Sequence, residues 1–531
     1  MATSVSASSA AEKRVVRAAC PHDCPDTCAM LVTVENGRAT KVAGDPDHPF
    51  THGFLCAKVN RYVDRTYHKD RLTTPLKRVG AKGKGQFAPV SWDEALGLVA
   101  HRLSAIANSA DGPQSILPYS YAGTMGQIQG GSIDRRFFHL LGASKLDRTI
   151  CSTPGTVGMR MTVGASIGAD PEGIPESDLV LLWGTNTLTS NPHLWPFVLE
   201  ARKRGAPVIA IDPLRTRTGE QCDEWIPIRP GTDAALALAM MHVIYAEGLQ
   251  DDDYLAKHTL GAPEMRARAA EWAPKRAAAI TGIPVETIVS LARRYGHAKA
   301  AFIRVNYGLQ RHYGGGMAVR TIACLPAITG HWRRAGGGVQ LSSSGNYLFD
   351  REALERPDLG PPVRTINMIR LGEALTRADA GVGGPPVRAL IVYNSNPAAV
   401  APERGEVLRG LAREDLFTVV LEHFQTDTAD WADIVLPATT QLEHWDLHFS
   451  YGHHYVTLNA PAIAPVGESR PNSEIFRGIA ARMGMTHACL RDDDVTLMRS
   501  ILATGKEKLR GITLEQLQER GWARLNVPRP Y

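Results

Sequence analysis

Nowhere does this chain reach the roughly 18 consecutive apolar residues that a membrane-spanning helix needs, which excludes a helical membrane span. Cysteine is scarce: eight in 531 residues is too sparse for a secreted scaffold built on disulfides. The first 19 residues are rich in Ala and Ser, and they hold neither the apolar run of a secretory signal nor a twin-arginine pair. Lys and Arg are not massed anywhere. The net charge of +5 is spread along the chain, which argues against a nucleic-acid footprint and suits help in holding an anionic cofactor. No repeat of solenoid length occurs, and G-x-G-x-x-G, G-x-x-x-x-G-K-[ST], flavin motifs and a second C-x2-C set are all missing. What remains is an ordinary globular composition, 44% hydrophobic and 21% charged, in a chain long enough for two to four domains. Residues 1–15 read as a disordered tail, and the whole as a cytoplasmic protein.

Against that scarcity, half of the cysteines stand together. Cys20, Cys24 and Cys28 are spaced by three residues, and Cys56 follows in Gly53-Phe54-Leu55-Cys56-Ala57-Lys58. Four soft thiolates select an iron–sulfur cluster or zinc. Zinc ribbons present two C-x2-C knuckles, whereas a C-x3-C-x3-C run spreads its sulfurs around a larger cubane, so a [4Fe–4S] cluster is the expected occupant and structural zinc the alternative. Lys58 is either a solvated surface lysine or a cation between the cluster and a neighbouring electron carrier. His22, His52, His444, His453 and His454 lack zinc spacing and are expected to be structural.

The segment around these cysteines reads as short strands, with residues 31–34 and 39–42 flanking a turn at Asn36-Gly37. Ser91-Trp92-Asp93-Glu94 has the form of a capping box that opens a helix, its apolar residues recurring at Ala95, Leu96, Val99 and Leu103. A boundary near residue 75 follows. Beyond it, short apolar runs end in small polar turns: residues 179–182 before Trp183-Gly184-Thr185-Asn186, 208–211 before Asp212-Pro213, 301–305 before Asn306, 389–392 before Asn394-Ser395-Asn396-Pro397, and 419–421 before Glu422-His423. Helical segments such as 234–247 and 285–295 lie between them. The predicted fold class is therefore α/β: an N-terminal iron–sulfur domain with a small β-sheet, and two Rossmann-like domains with mainly parallel sheets.

Ligands of such sheets bind beyond the carboxyl ends of the strands. Asp212-Pro213-Leu214-Arg215, with Arg229-Pro230-Gly231-Thr232-Asp233 opening a helix, has the make-up of a nucleotide site: carboxylate on base or ribose, amides on phosphate. Each turn alone is an ordinary cap. Five in one chain behind a cysteine motif read as a ligand set. Cys151, in Thr149-Ile150-Cys151-Ser152-Thr153-Pro154-Gly155, has the neighbours of a loop and not of a core, while Cys222, Cys324 and Cys489 read as small buried hydrophobes.

Together these residues resemble the bis-molybdopterin guanine dinucleotide oxidoreductases, the family of formate dehydrogenases, nitrate reductases and polysulfide reductases. The resemblance runs from about Val15 to Met485, through Cys20-Pro21-His22-Asp23-Cys24-Pro25-Asp26-Thr27-Cys28, Arg71-Leu72-Thr73-Thr74-Pro75-Leu76, Ser91-Trp92-Asp93-Glu94-Ala95 and Asp433-Ile434-Val435-Leu436-Pro437. It implies a [4Fe–4S] cluster on Cys20, Cys24, Cys28 and Cys56, molybdenum or tungsten on Cys151, and Lys58 between cluster and pterin. It further implies two pterin dinucleotides in loops holding Trp183, Gly184, Thr185, Asn186, Asp212, Arg215, Gly231, Thr232, Asp233, Asn394, Ser395, Asn396, Pro397, Glu422, Thr426 and Thr428. The implied division is a [4Fe–4S] domain over 16–75, a discontinuous α/β domain over 76–145 and 336–430, a dinucleotide-binding α/β domain over 146–335, and a return segment over 431–531 packing on the N-terminal domain.

The implied activity is two-electron redox of a small substrate, with electrons leaving through a carrier protein or partner subunit. Formate oxidation is disfavoured: characterised formate dehydrogenases carry a histidine after the metal-binding residue and an arginine after the Gly-rich segment, where this chain has Ser152 and, over 340–346, no arginine. The family also continues into a C-terminal domain that closes over both dinucleotides. Its absence from this sequence leads to the expectation of a truncated gene product or a separate chain supplying it, with weak cofactor retention. Two alternatives share the fold: a metal-free electron-transfer or structural subunit, which the thiol at Cys151 argues against, and a non-redox hydratase.

Overall fold

The computed structural model describes residues 12–528. Residues 1–11 of the expected tail lie outside it, and residues 13–15, expected in that tail, belong instead to a strand that begins at Lys13. Lys13–Ala19, Ala29–Glu35 and Arg38–Gly44 form a three-stranded antiparallel sheet. Asn36 and Gly37 make the hairpin turn with φ of 51° and 75°, the two left-handed residues that match the twist of the flanking strands. Ser91 caps the helix Trp92–Ala107 through the Glu94 amide. The Glu94 carboxylate turns away to Lys77, 3.0 Å distant, so the expected box forms only its first half.

Two larger sheets follow. The first has six strands in the order Phe87–Pro89, Leu76–Arg78, Ile434–Pro437, Phe417–Glu422, Ala389–Tyr393, Ile116–Ser120. Its last four run parallel, and the first two are an antiparallel edge. The second has five strands, all parallel, in the order Glu224–Ile226, Val208–Ile211, Leu179–Trp183, Ala301–Val305, Gly338–Gln340. The central strands Ala389–Tyr393, Leu179–Trp183 and Ala301–Val305 are buried at every residue, as continuous apolar runs covered on both faces must be.

Sheet membership moves two of the implied boundaries. Gly338–Gln340 completes the five-stranded sheet rather than opening the next α/β segment, and Ile434–Pro437 sits inside the six-stranded sheet rather than in the return segment. The return segment then builds an antiparallel sheet from Asp446–Phe449, Tyr455–Asn459 and Trp522–Arg524. It packs on the N-terminal sheet: Leu442, Ala462 and Ile463 share a core with Met30, Val32 and Val34.

The join is held by a buried ion pair. Arg71 Nη2 donates to Glu443 Oε2 at 2.6 Å, with the two side chains 1% and 0% exposed. Arg71 Nη1 donates to the Thr66 carbonyl, and Glu443 also accepts from the Thr440 and Val466 amides. Removing one charge from such a pair leaves the other uncompensated. Glu443→Gln is expected to lower stability by about 3–5 kcal/mol, read as a shift of the chemical-unfolding midpoint; an unshifted midpoint contradicts this role.

Candidate cofactor and active site

The four N-terminal cysteines face one another. Their thiols fall within each other's electrostatic reach, and burial raises the pKa of Cys20 to about 12 and those of Cys24 and Cys28 further. A buried neutral thiol is inexpensive, but four thiolates crowded together, with Cys20 and Cys28 buried, are stable only with a cation among them. Among the described residues no three His, Cys, Asp or Glu side chains converge on a single-ion position. This disposition fits the spread of a cubane better than that of a zinc ion.

The loop is tied by Cys20 N–H to the Cys28 carbonyl at 2.9 Å and covered by the segment after Leu179–Trp183. There His193 contacts Asp26 at 2.9 Å and reaches the Cys28 sulfur at 3.8 Å, while Ser190 O lies 3.9 Å from Cys24 Sγ. His193 had no signal in the sequence; its role arises from the crossover that brings residue 193 over residue 28.

Cys151 sits at the amino end of the helix Thr153–Val163 and lines a cavity of about 310 Å³. Asp23 from the cysteine loop lines the same cavity, as do Ser120 at the end of one sheet and Tyr307 beyond the end of the other. The Cys151 loop is held by residues the sequence did not single out. Gln310 donates to the Cys151 carbonyl and accepts from Gly155 N–H, and Arg311 Nη2 lies 3.6 Å from Cys151 Sγ while Nη1 donates to Ile150 O. The Tyr121 phenol rests against the Cys151 thiol and the Ser152 hydroxyl, and burial followed by the nearness of Cys151 raises its pKa.

Glycines make this approach achievable. A Cβ on Gly158 would lie 2.4 Å from Gly316 O, and one on Gly316 would lie 2.8 Å from Pro154 O. Gly316 is thus where the helix Gly315–Ile328 meets the Cys151 helix, while Gly315 lies against the Gln310 backbone.

The remaining predicted residues divide by where their side chains go. Trp183 is fully buried and donates to Asp233 Oδ1 at 2.8 Å; it anchors its loop from the core side and does not line it. Asn394 is spent on Gln129 O and Asn472, and Asn396 on the Thr428 amide and hydroxyl. Thr185 meets Thr187, Asn186 accepts from Thr218, and Pro397 starts a buried turn. These side chains shape loops from behind.

Others stay available. Asp212 and Asp233, at one sheet end, and Glu422, at the other, have raised pKa values through burial and, among the described residues, no cationic partner in hydrogen-bonding range, although one oxygen of Asp233 is taken by Trp183. Thr426 Oγ is buried without a partner among the described residues. Gly184, at φ 62°, and Gly231, at φ 79°, present backbone where a Cβ on Gly184 would meet Leu309 at 2.8 Å. Arg215 is exposed, Thr232 bonds to Arg229 O, and Lys58 lines a shallow pocket with Arg61, Arg65 and Phe424. Unspent acceptors and exposed backbone at both strand ends fit a pair of anionic, N–H-bearing dinucleotides.

The family model described as molybdopterin oxidoreductase matches residues 71–482, and the model of its Fe4S4 domain matches residues 13–68, the stretch that contains the four-cysteine set. The chain belongs to the molybdopterin oxidoreductase family. It accordingly binds a [4Fe–4S] cluster and molybdopterin with molybdenum or tungsten. Among relatives in this family, the probable oxidoreductase YoaE of Bacillus subtilis is 46% identical over 490 residues, covering 92% of this chain and 71% of the relative. The dimethyl sulfoxide reductase DmsA of Escherichia coli is 29% identical over 573 residues, covering 96% of this chain and 69% of the relative. The solved acetylene hydratase from Pelobacter acetylenicus superposes with a TM-score of 0.80 at 24% identity, over 97% of this chain and 74% of that one, which shows a shared fold. No helix among the described residues is long and apolar enough to cross a membrane.

One titratable group beside the cavity gives a test of the local structure. Asp446 accepts from the Ile128 and Gln129 amides at the start of the helix Gln127–Gly131, whose residues line the cavity. Burial raises its pKa to about 7. The folded state therefore binds the proton more tightly than the unfolded one between roughly pH 4 and 7, so this group withdraws stability as pH rises through that window. Asp446→Asn is expected to destabilise less at pH 8 than at pH 5 in denaturant titrations; an equal effect at both pH values contradicts the assignment.

Proposed function

We propose that this chain carries out two-electron oxidation or reduction of a small substrate at molybdenum or tungsten held by Cys151 and two pterin guanine dinucleotides, with single electrons passing through a cluster on Cys20, Cys24, Cys28 and Cys56. The observation that carries the reading is the position of the Cys151 sulfur: it opens on a cavity at the shared carboxyl edge of two parallel sheets, and Asp23 of the cluster loop lines that same cavity. When bound, the pterin-held metal supplies two-electron chemistry and the cluster one-electron transfer.

The protein's own part is to bind and orient. Gln310 and Arg311 fix the Cys151 loop, and the Arg311 guanidinium sets a positive charge 3.6 Å from the sulfur. Tyr121 keeps a proton beside that sulfur, because burial holds its phenol neutral. Asp212, Asp233 and Glu422 offer acceptors for guanine N–H groups, and the loops at Gly184 and Gly231 offer amides to phosphate. Lys58 supplies a cation between cluster and pterin. Electrons leave through a carrier protein or partner subunit, in a cytoplasm reducing enough to keep the cluster thiols free.

Formate is a poor candidate substrate. Ser152, and not a histidine, follows Cys151, residues 340–346 hold no arginine, and Ser152 and Ser344 line the cavity.

Cys151→Ala tests the centre. Anaerobically purified variant is expected to keep the cluster chromophore near about 400 nm while turnover with a redox dye falls by on the order of a hundredfold or more. Cys56→Ala is expected to lose the chromophore. Full turnover in Cys151→Ala contradicts the proposal, and so does wild-type protein free of both molybdenum and tungsten.

A further inference from the structure

The cavity beneath Cys151 contains two kinds of side chain that the proposed redox chemistry leaves unused. The first is guanidinium: Arg135, Arg148 and Arg351 all line it. Their counter-charges are unequal. Arg351 pairs with Glu355 at 3.0 Å near the mouth, and Arg135 Nε lies 3.7 Å from Asp134, a carboxylate that already accepts from Tyr393 at 2.7 Å. Asp23, on the cluster side of the cavity, is engaged with Tyr451.

Arg148 has no carboxylate partner in the ion pairs of the described residues. Its Nε donates to Ser120 O at 2.8 Å, Nη1 to Leu146 O at 3.1 Å and Nη2 to Ser120 Oγ at 2.9 Å. Of the five N–H groups on a guanidinium, three are used, which leaves one on each terminal nitrogen. The neutral acceptors fix the fork in place without cancelling its charge. Burial, then the nearby Arg135, lowers its pKa to about 10, so it remains a cation at neutral pH. A held, unpaired guanidinium beside a reactive cavity is a site for an oxyanion.

The second kind is aromatic. Tyr347 and Phe449 stack with centroids 5.0 Å apart at 19°, and Phe349 meets Phe449 edge-on at 5.3 Å. All three line the cavity, whose volume of about 310 Å³ exceeds what a bare inorganic oxyanion fills. Such walls favour a flat π-system.

We propose that this cavity binds a small conjugated carboxylate, its carboxylate on the Arg148 fork with Arg135 in support, its planar body against Tyr347, Phe349 and Phe449, and its far end toward Cys151. This rests on the reading of Cys151 as the residue facing the substrate.

The test uses the full-length chain carrying its cluster, produced in cells that make no pterin. Alkylation of Cys151 by iodoacetamide is followed by peptide mass spectrometry, with Cys222 as internal reference. Benzoate is expected to slow alkylation of Cys151 and leave Cys222 unchanged. Benzamide, the same shape without charge, and sulfate, charge without a ring, are expected to protect far less at equal concentration. In Arg148→Gln the concentration of benzoate needed for half-protection rises about tenfold, while Arg311→Gln alters the rate without altering the benzoate-to-benzamide ranking. Equal protection by benzamide or by sulfate overturns the proposal, as does undiminished protection in Arg148→Gln. The wild-type ranking decides the question by itself should that variant not fold. Alkylation of Cys151 at equal rates in metal-loaded and metal-free protein would instead remove the metal-ligand reading and leave this one standing.

Discussion

Parallel strands all end at the same edge, and in this molecule two parallel sheets bring their carboxyl edges to one cleft. The chemistry-bearing groups gather there for that reason. Gly184 and Asp212 follow strands of the five-stranded sheet, Asn394 follows and Glu422 ends strands of the six-stranded sheet, and Cys151 lies on the chain between Ile116–Ser120 of the six-stranded sheet and Leu179–Trp183 of the five-stranded one. In the five-stranded sheet the order reverses between Leu179–Trp183 and Ala301–Val305, so the loops after these neighbours diverge and open a crevice. One wall of that crevice is the Gln310 and Arg311 loop that clamps Cys151.

Close packing turns this cleft into a site with fixed geometry. The Cys151 helix lies against the helix Gly315–Ile328 at a separation that only glycine at 158 and 316 allows. The cysteine loop is set from outside its own domain, by His193 and Asn191 on Asp26 and by His453 on the Asp26 carbonyl at 2.7 Å. Two segments distant in sequence thus fix the cysteine loop, and the return segment is one of them. Burial keeps Cys20, Cys24 and Cys28 protonated until a cation arrives, which couples the charge state of the loop to its occupation.

Much of this was legible in the sequence, because period and composition are local signals. The buried runs at 179–182, 301–305 and 389–392 became central strands, the Asn36-Gly37 turn a hairpin, and the four-cysteine spacing a facing set. What was not legible depends on tertiary context. Trp183 appeared as a loop residue and is a core anchor; Asn394 and Asn396 appeared as ligand contacts and are spent on neighbouring backbone and side chains. Gln310, His193, Tyr121 and Arg148 gave no signal, since their roles arise from residues that come together only across crossovers. Boundaries failed where a single short strand, Gly338–Gln340 or Ile434–Pro437, joined a sheet other than the one its sequence neighbours form.

The proposed chemistry requires a bond between the Cys151 sulfur and the metal. X-ray absorption at the molybdenum or tungsten edge, on anaerobically prepared wild type and Cys151→Ala with matched metal content, tests it most directly. The variant is expected to lose one sulfur scatterer from the first coordination shell while the cluster iron signal is unchanged. An identical sulfur shell in the two proteins would contradict it.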